Sequence, residues 1–416
     1  MVDASRKNEI VIIFLYSCKK MKETLSHLSK TISLTGKRII LRVDFNVPLD
    51  ENQCILDDTR ITAVLPTIQF LQNANAKISL LSHLGRPNGD YNVKYSLKPV
   101  FYYLEKRLIN VSFCSNFYNP PEIKNGNIVL FENVRFESGE ETNDEGFAKH
   151  LSTLGEIYVN DAFGTVHRAH ASTEGVVHYM EKNCIGFLME RELNYLDKTI
   201  KSPRQPFAAI IGGSKISSKI TVLENLIPKI DKLFIGGGMV FTFLFAHRHE
   251  IGNSIVEKNA VNLVYSIEKL AKKNNTQIFL PIDIVVADKF DSNANTKIVP
   301  YTSIPQGWIG MDNGPETCKL FSRELKYCKT ILWNGPMGVF EMNPFSNGTF
   351  QVAKTVSSMK QHAVTIVGGG DTVSAIEKFH MKESFCHIST GGGACLELLE
   401  GKDLPGLKVI QNVVDS

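Results

Sequence analysis

The sequence carries almost no excess of charge of either sign: 46 Lys and Arg stand against 43 Asp and Glu, a net of +3 over 416 residues. So weak a field cannot hold a nucleic acid through many phosphate contacts, and any anion site has to be local. Hydrophobic runs approaching the roughly 20 residues that cross a bilayer are missing, which excludes a transmembrane helix. C-x-x-C pairs are missing too. The eight cysteines, Cys18, Cys54, Cys114, Cys184, Cys318, Cys328, Cys386 and Cys395, show no zinc-like spacing to histidine and suit the reduced thiols of a cytosolic protein. No repeat of fixed period is present, and the apolar and charged fractions are those of an ordinary globular chain, which rules out collagen-like and disordered classes. Neither standard nucleotide fingerprint occurs, G-x-x-x-x-G-K-[ST] or a G-x-G-x-x-G opening a helix. A nucleotide site here must be of a nonstandard kind.

What is present is a chain long enough for two or three domains. Arg6 and Lys7 precede the apolar run Ile10 to Leu15 in the manner of a short signal peptide. No A-x-A site follows, and Lys19 and Lys20 arrive at once, so residues 1–20 are expected to be an extension or misplaced start ahead of Met21. Beyond it, short apolar runs end in glycine or polar clusters and give way to helical periodicity, the pattern of β-α-β units and a parallel sheet. The strands expected in the first half are Arg38 to Val43, Lys77 to Leu81, Asn127 to Leu130 and Glu156 to Val159. Those of the second half are Ala208 to Ile211, Leu233 to Ile235, Gln277 to Leu280, Ile331 to Trp333, Val364 to Val367 and His387 to Ile388. Between the halves Met189, Leu193, Leu196 and Ile200 recur on one helical face until Pro203 stops it. The expectation is an α/β protein with two doubly wound domains, 21–186 and 187–400, joined stiffly by a hinge helix across a cleft.

The first-half strands end in RVDFNVP (Arg42 to Pro48), SHLGRP (Ser82 to Pro87), ENVRF (Glu132 to Phe136) and NDAFGTVHRAHAS (Asn160 to Ser172). In a doubly wound sheet ligands lie outside the carboxyl ends of the strands, so these clusters should converge on one pocket. His83, Arg86, Arg135, His167, Arg168 and His170, with Arg60 at the start of the next helix, would make it basic. Guanidinium groups grip carboxylate and phosphate oxygens bidentately, which points to a small, highly charged anion. His167 and His170 lack a third ligand at metal spacing and suit anion contacts or satisfied loop positions better. His247 and His249 read as incidental surface residues.

The second half carries IIGGSKISSK (Ile210 to Lys219), IGGGM (Ile235 to Met239), NGPMGVFE (Asn334 to Glu341), VGGGDT (Val367 to Thr372) and STGGGA (Ser389 to Ala394). Glycine after a strand lets backbone N–H groups approach a phosphate, and the next helix N-terminus adds a positive dipole. One such turn is only a tight β-α connection; five in one half suggest a nucleotide. If a helix begins near Ser214, Lys215 and Lys219 share a face at its positive end. Asp371 is the candidate carboxylate for a nucleotide-bound magnesium.

These motifs, in this order and from about Lys22 to the C-terminus, resemble the phosphoglycerate kinase family. The resemblance implies two Rossmann-like domains, the first binding 3-phosphoglycerate or 1,3-bisphosphoglycerate and the second ADP or ATP with Mg2+. By matching position it implies a triose-phosphate site of Asp44, Phe45, Asn46, Arg60, His83, Leu84, Gly85, Arg86, Arg135 and Arg168. It implies nucleotide contacts from Lys219, Asn334, Glu341, Gly369, Gly370, Asp371 and Thr372, with Asp371 toward the metal, and phosphoryl transfer served by Arg60, Lys215, Lys219 and Gly370. It also implies a cytoplasmic monomer of glycolysis that binds neither nucleic acid nor membrane, with the tail 401–416 packed on the first domain. The departures from the family pattern are Val166 for alanine, DNGPET at Asp312 to Thr317 for DIGPKT, and Cys395 for serine; Asn313 and Glu316 could alter nucleotide preference. Two other readings stay open on the sequence: a nicotinamide-dependent dehydrogenase, and a non-catalytic anion-binding or scaffold protein on the same fold.

Overall fold

The computed structural model describes residues 21–413. The expected extension 1–20 lies outside the described residues. The chain forms two compact units: one runs to Glu190 and takes back the chain from Pro405, and the other is Arg191–Leu404.

The first unit holds β1 (Arg38–Val43), β2 (Lys77–Leu81), β3 (Val111–Cys114), β4 (Ile128–Phe131), β5 (Ile157–Asp161) and β6 (Lys182–Ile185), in the order β3-β4-β2-β1-β5-β6 with every pair parallel. The inner strands are mostly apolar because helices cover both faces of such a sheet, and β1, β2, β4 and β5 are buried almost end to end, with the buried polar side chains Arg42, Asn160 and Asp161 at the carboxyl ends of β1 and β5.

The second unit holds β7 (Phe207–Ile211), β8 (Lys232–Ile235), β9 (Glu250–Ile251), β10 (Gln277–Phe279), β11 (Asp283–Ala287), β12 (Thr296–Pro300), β13 (Ser303–Ile304), β14 (Ile309–Asn313), β15 (Thr330–Asn334), β16 (Val364–Gly368) and β17 (His387–Ile388). Six of them make a second parallel sheet, β10-β8-β7-β15-β16-β17. An antiparallel sheet, β12-β11-β14, and the pair β13-β9 stand apart from it. The winding direction reverses between β1 and β5 in the first sheet and between β7 and β15 in the second, where a doubly wound sheet opens its ligand crevice.

All ten strands expected from the sequence form, with ends within two residues of the reading. The polar edge strands β3 and β6 and the small antiparallel sheet are additions. Phe187–Leu193, Asn194–Lys198 and Thr199–Lys201 make one continuous helix whose middle turn is wound in π form, and it ends just before Pro203. Met189, Leu196 and Ile200 are buried on it. Its two ends are tied to different units. Met189 N–H donates to Asp161 Oδ1 at 2.9 Å in the first, whereas buried Glu192 accepts His387 Nε2 and the Thr390 N–H, each at 2.7 Å, in the second.

Leu80, in the middle of β2, is fully buried in the first unit's core. Leu80→Ala should cost about 2–5 kcal/mol, because the β-sheet around it cannot collapse into the cavity. Urea unfolding followed by circular dichroism would read this as a lowered midpoint.

Candidate functional site

In the first unit the loops after β1, β2, β4 and β5 meet. Asp44, directly after β1, accepts Arg60 Nη1 through Oδ2 at 3.0 Å and the Asn46 N–H through Oδ1 at 3.1 Å. Arg60 stands in the first turn of the helix Thr59–Asn73. Asn46 Oδ1 in turn accepts the Gly85 N–H at 2.9 Å. Gly85 sits at φ +63°, and a Cβ there would lie 2.3 Å from the Tyr95 ring, so no other residue fits this turn. Phe45 and Leu84 point their side chains into the core, while the Phe45 N–H donates to Ser82 Oγ at 2.8 Å and the Leu84 carbonyl accepts Asn133 Nδ2 at 2.7 Å.

Arg135, in the turn after β4, is 3% exposed and donates through Nη1 to the Gly85 carbonyl at 2.6 Å. Its Nε and Nη2 are buried without a hydrogen bond, although Glu141 Oε1 stands 3.2 Å from Nε as an ion pair. Burial pushes Arg135 down to about 10, Glu141 opposing and Arg168 and Arg42 assisting. Unpartnered N–H groups on a buried guanidinium are what a carboxylate or phosphate oxygen satisfies.

His83 is held at the centre. Burial first, and then Arg42, Arg135, Arg60 and Arg168, keep its pKa well below the usual 6.5, so the imidazole is neutral. Burial foremost, then Arg135, Arg42, Arg168 and His167, push His170 down to about 3. Arg168 Nε lies 3.3 Å from His167 Nε2. Arg60, His83, Arg135, Arg168 and His170 are thus brought together, as the sequence leads one to expect. Arg86, next to Gly85, is exposed and makes no hydrogen bond or ion pair among the described residues. Val166 is buried, and its carbonyl accepts the Gly406 N–H at 2.9 Å from the returning tail.

In the second unit a cavity of about 740 Å³ opens at the ends of β7 and β15. One part of its wall is apolar, with Phe241, Ile255, Ile309, Met311 and Val339; another presents Gly213, Gly237, Gly238 and the carboxylates Glu341 and Asp371. The glycines permit backbone contact that side chains would block, since a Cβ on Gly212 would fall 2.0 Å from the Pro336 carbonyl oxygen. Lys219 Nζ donates to Asn334 Oδ1 at 2.8 Å, and the other amide atom of Asn334, Nδ2, is buried without a partner. Burial lowers the Lys219 pKa, with Asp371 pulling it back up. Thr372, buried in the helix Gly370–Lys378, accepts the Gly335 N–H at 2.6 Å and so ties the GGGDT turn to the NGP turn.

One expectation fails. No helix opens near Ser214: Lys215 is exposed in irregular chain, and the helix is Ile220–Leu226 with Lys219 at its N-cap position. The serines between them take other partners, Ser218 Oγ donating to the Lys215 carbonyl at 2.8 Å and Ser217 donating from N and Oγ to Glu257. Such side-chain bonds compete with helix formation. Of the two departures within Asp312 to Thr317, Asn313 lines the cavity, whereas Glu316 is exposed away from it and pairs with Lys319 at 2.7 Å. The apolar wall itself was not foreseen, because its residues come from four separated segments and look like ordinary core. Asp312, on the same wall, is pushed up to about 7 by burial, against the backbone N–H groups it accepts.

Histidines kept neutral by burial make stability depend on pH. The unfolded chain takes up protons at His83 and His170 near pH 6.5, and the folded chain does not, so the contribution of these two histidines is complete above 6.5 and is lost as pH drops from there toward 3, while Asp312, raised to about 7, works in the opposite sense. The urea midpoint should be lower at about pH 5.5 than at about pH 7.5, and His170→Asn should narrow that difference.

Comparison with known proteins agrees with this geometry. The family described as phosphoglycerate kinase matches residues 29–402. A phosphoglycerate kinase of Trichodesmium erythraeum is 52% identical, covering 94% of this chain and 99% of its own. A cytosolic phosphoglycerate kinase of Nicotiana tabacum is 50% identical over 92% and 97%. The solved phosphoglycerate kinase of Coxiella burnetii superposes with a TM-score of 0.87 at 38% identity, covering 93% of this chain and 98% of that one. The chain belongs to the phosphoglycerate kinase family and is a phosphotransferase with a carboxyl group as acceptor.

Proposed function

We propose that the chain transfers a phosphoryl group reversibly from 1,3-bisphosphoglycerate to MgADP, giving 3-phosphoglycerate and ATP, with the triose on the basic pocket of the first unit and the nucleotide in the cavity of the second. The observation that carries this assignment is the buried Arg135, whose Nη2 has no partner and whose Nε has only the Glu141 ion pair, in a cluster with Arg60, Arg168 and a neutral His83. Such a cluster suits a small polyanion.

Asp44, Asn46, Arg60, His83, Arg86, Arg135 and Arg168 hold the triose phosphate, helped by the backbone of Phe45, Leu84 and Gly85. Asp44 orients Arg60 through the 3.0 Å bond between them. The base rests on the apolar wall, Glu341 accepts from the ribose hydroxyls, and Asn334, Gly369, Gly370, Asp371 and Thr372 meet the phosphates. Asp371 is an exposed oxygen donor on the cavity wall, which suits a magnesium ion taking one or two protein ligands and the rest from phosphate and water. Bound there with the nucleotide, Mg2+ supplies charge neutralisation.

In the direction of ATP use the nucleophile is the C1 carboxylate of 3-phosphoglycerate, already an anion, so no residue has to remove a proton. What remains is in-line positioning and cancellation of charge on the equatorial oxygens. Arg60, Lys215, Lys219 and the N–H of Gly370 do this. Lys219 is the most effective because its partly buried ammonium acts in a medium that screens it less than water does. The helix through Phe187 and Lys201, anchored at one end in each unit and wound in π form between, is the hinge of the domain pair 21–186 and 187–400. Unpaired thiols at the seven described cysteines support a cytosolic setting, and the small net charge fits a protein without nucleic-acid partners.

ATP formation from 1,3-bisphosphoglycerate and MgADP tests the reading. Lys219→Ala should lower kcat about 10²–10³-fold, the usual cost of one charge-stabilising donor, with little change in KM for the triose. Equal losses in both would remove Lys219 from the transition state, and an inactive but folded native protein would overturn the assignment altogether.

A further inference from the structure

Arg42 has no role in the assignments above, yet it is 1% exposed and sits directly beneath the anion pocket. A buried guanidinium needs partners for its donors, and those of Arg42 are specific. Nε donates to Ser172 Oγ at 2.8 Å, Nη1 donates to the Val43 carbonyl, and Nη2 stands 3.4 Å from His83 Nδ1. Ser172 passes the charge on: its Oγ and N–H donate to the two oxygens of Glu140, at 2.6 and 2.8 Å, and Glu140 is fully buried. A chain of contacts therefore runs from Glu140 through Ser172 and Arg42 to one nitrogen of one imidazole.

Arginine donates and never accepts. A ring nitrogen facing it must offer a lone pair, so the His83 proton belongs on Nε2. The other groups around the ring agree. Asp44 Oδ1 is 3.9 Å from Nδ1, beyond hydrogen-bond reach, and both Asp44 oxygens are already engaged by Asn46 and Arg60. Arg60, Arg135 and Arg168 face the ring as further cations and oppose an imidazolium. Nε2 has no hydrogen-bond partner among the described residues.

We propose that Arg42 is a positioning residue: anchored by Ser172 and Glu140, it fixes His83 as the Nε2–H tautomer and so presents a neutral N–H donor to an oxygen of the bound triose anion. The proposal rests on the assignment of this pocket to the triose phosphate. The arrangement adds a donor to a crowded basic pocket without adding another charge to it, and it spares the ring from choosing between tautomers when the anion arrives.

Imidazole-¹⁵N-labelled full-length protein without substrate, at about pH 7, gives the direct test in a long-range ¹H–¹⁵N spectrum, the His83 signals being assigned by their loss in His83→Gln. The expected result is an unprotonated Nδ1 and a protonated Nε2. In Arg42→Met and Ser172→Ala the second tautomer should appear. KM for 3-phosphoglycerate should rise about three- to tenfold, the worth of one neutral hydrogen bond, with KM for MgATP unmoved. Should Arg42→Met fail to fold, Ser172→Ala decides. A wild-type His83 protonated at Nδ1 or at both nitrogens overturns the proposal, and so does a folded variant that keeps the wild-type tautomer. A tautomer that shifts while KM for 3-phosphoglycerate stays fixed overturns the placing of the triose instead, and the role of Nε2–H toward it falls with that placing.

Discussion

Parallel pairing throughout each six-stranded sheet forces every carboxyl end to one edge of that sheet, and the loops leaving that edge have nowhere to go but past one another. Asp44, His83, Arg135 and Arg168 leave four different strands and are far apart in sequence, yet they share one electrostatic neighbourhood. The second sheet repeats the constraint with different chemistry. There the loops are glycines packed so closely that a Cβ on Gly212 or Gly335 would strike the opposite backbone. What differs between the two edges is therefore side-chain content on a shared topology.

Collecting cations at one edge has a cost, and the first unit meets it in three ways. Carboxylates stand among the arginines: Asp44 on Arg60, Glu141 beside Arg135, and buried Glu140 linked to Arg42 through Ser172. The histidines stay neutral, because burial and the surrounding guanidinium groups both oppose a further positive charge. Glycine turns bring backbone carbonyls into range as acceptors, as Gly85 does for Arg135. A chain with a net charge of only +3 can in this way hold a strongly basic pocket.

Legibility in the sequence followed burial. Inner strands such as Ile128 to Phe131 are apolar on both faces and announce themselves as continuous runs, as does β1 from Ile39 to Leu41, up to the buried Arg42. Val111–Cys114 and Lys182–Ile185 lie at sheet edges and mix polar with apolar residues, and the antiparallel sheet β12-β11-β14 includes the largely exposed Thr296–Pro300, so neither gave a usable signal. The charged site residues were legible because they cluster after strands. Phe241, Ile255 and Met311 were not, since an apolar side chain lining a cavity is indistinguishable in sequence from one in a core.

The sequence by itself determined the fold class, the two glycine- and arginine-bearing strand edges, and through its ordered motifs the family, because each of these is local: a run, a turn or a spacing. Only the tertiary structure decided which donors stay unpartnered, that Lys215 is exposed in irregular chain while Lys219 stands at a helix N-cap position, that Glu316 stands off the cavity while Asn313 lines it, and that Arg42 meets His83. These depend on hydrogen bonds between segments tens to more than a hundred residues apart, as with Ser172 and Arg42 or Lys219 and Asn334. A hydrogen bond between distant segments leaves no mark on the order of residues in either of them.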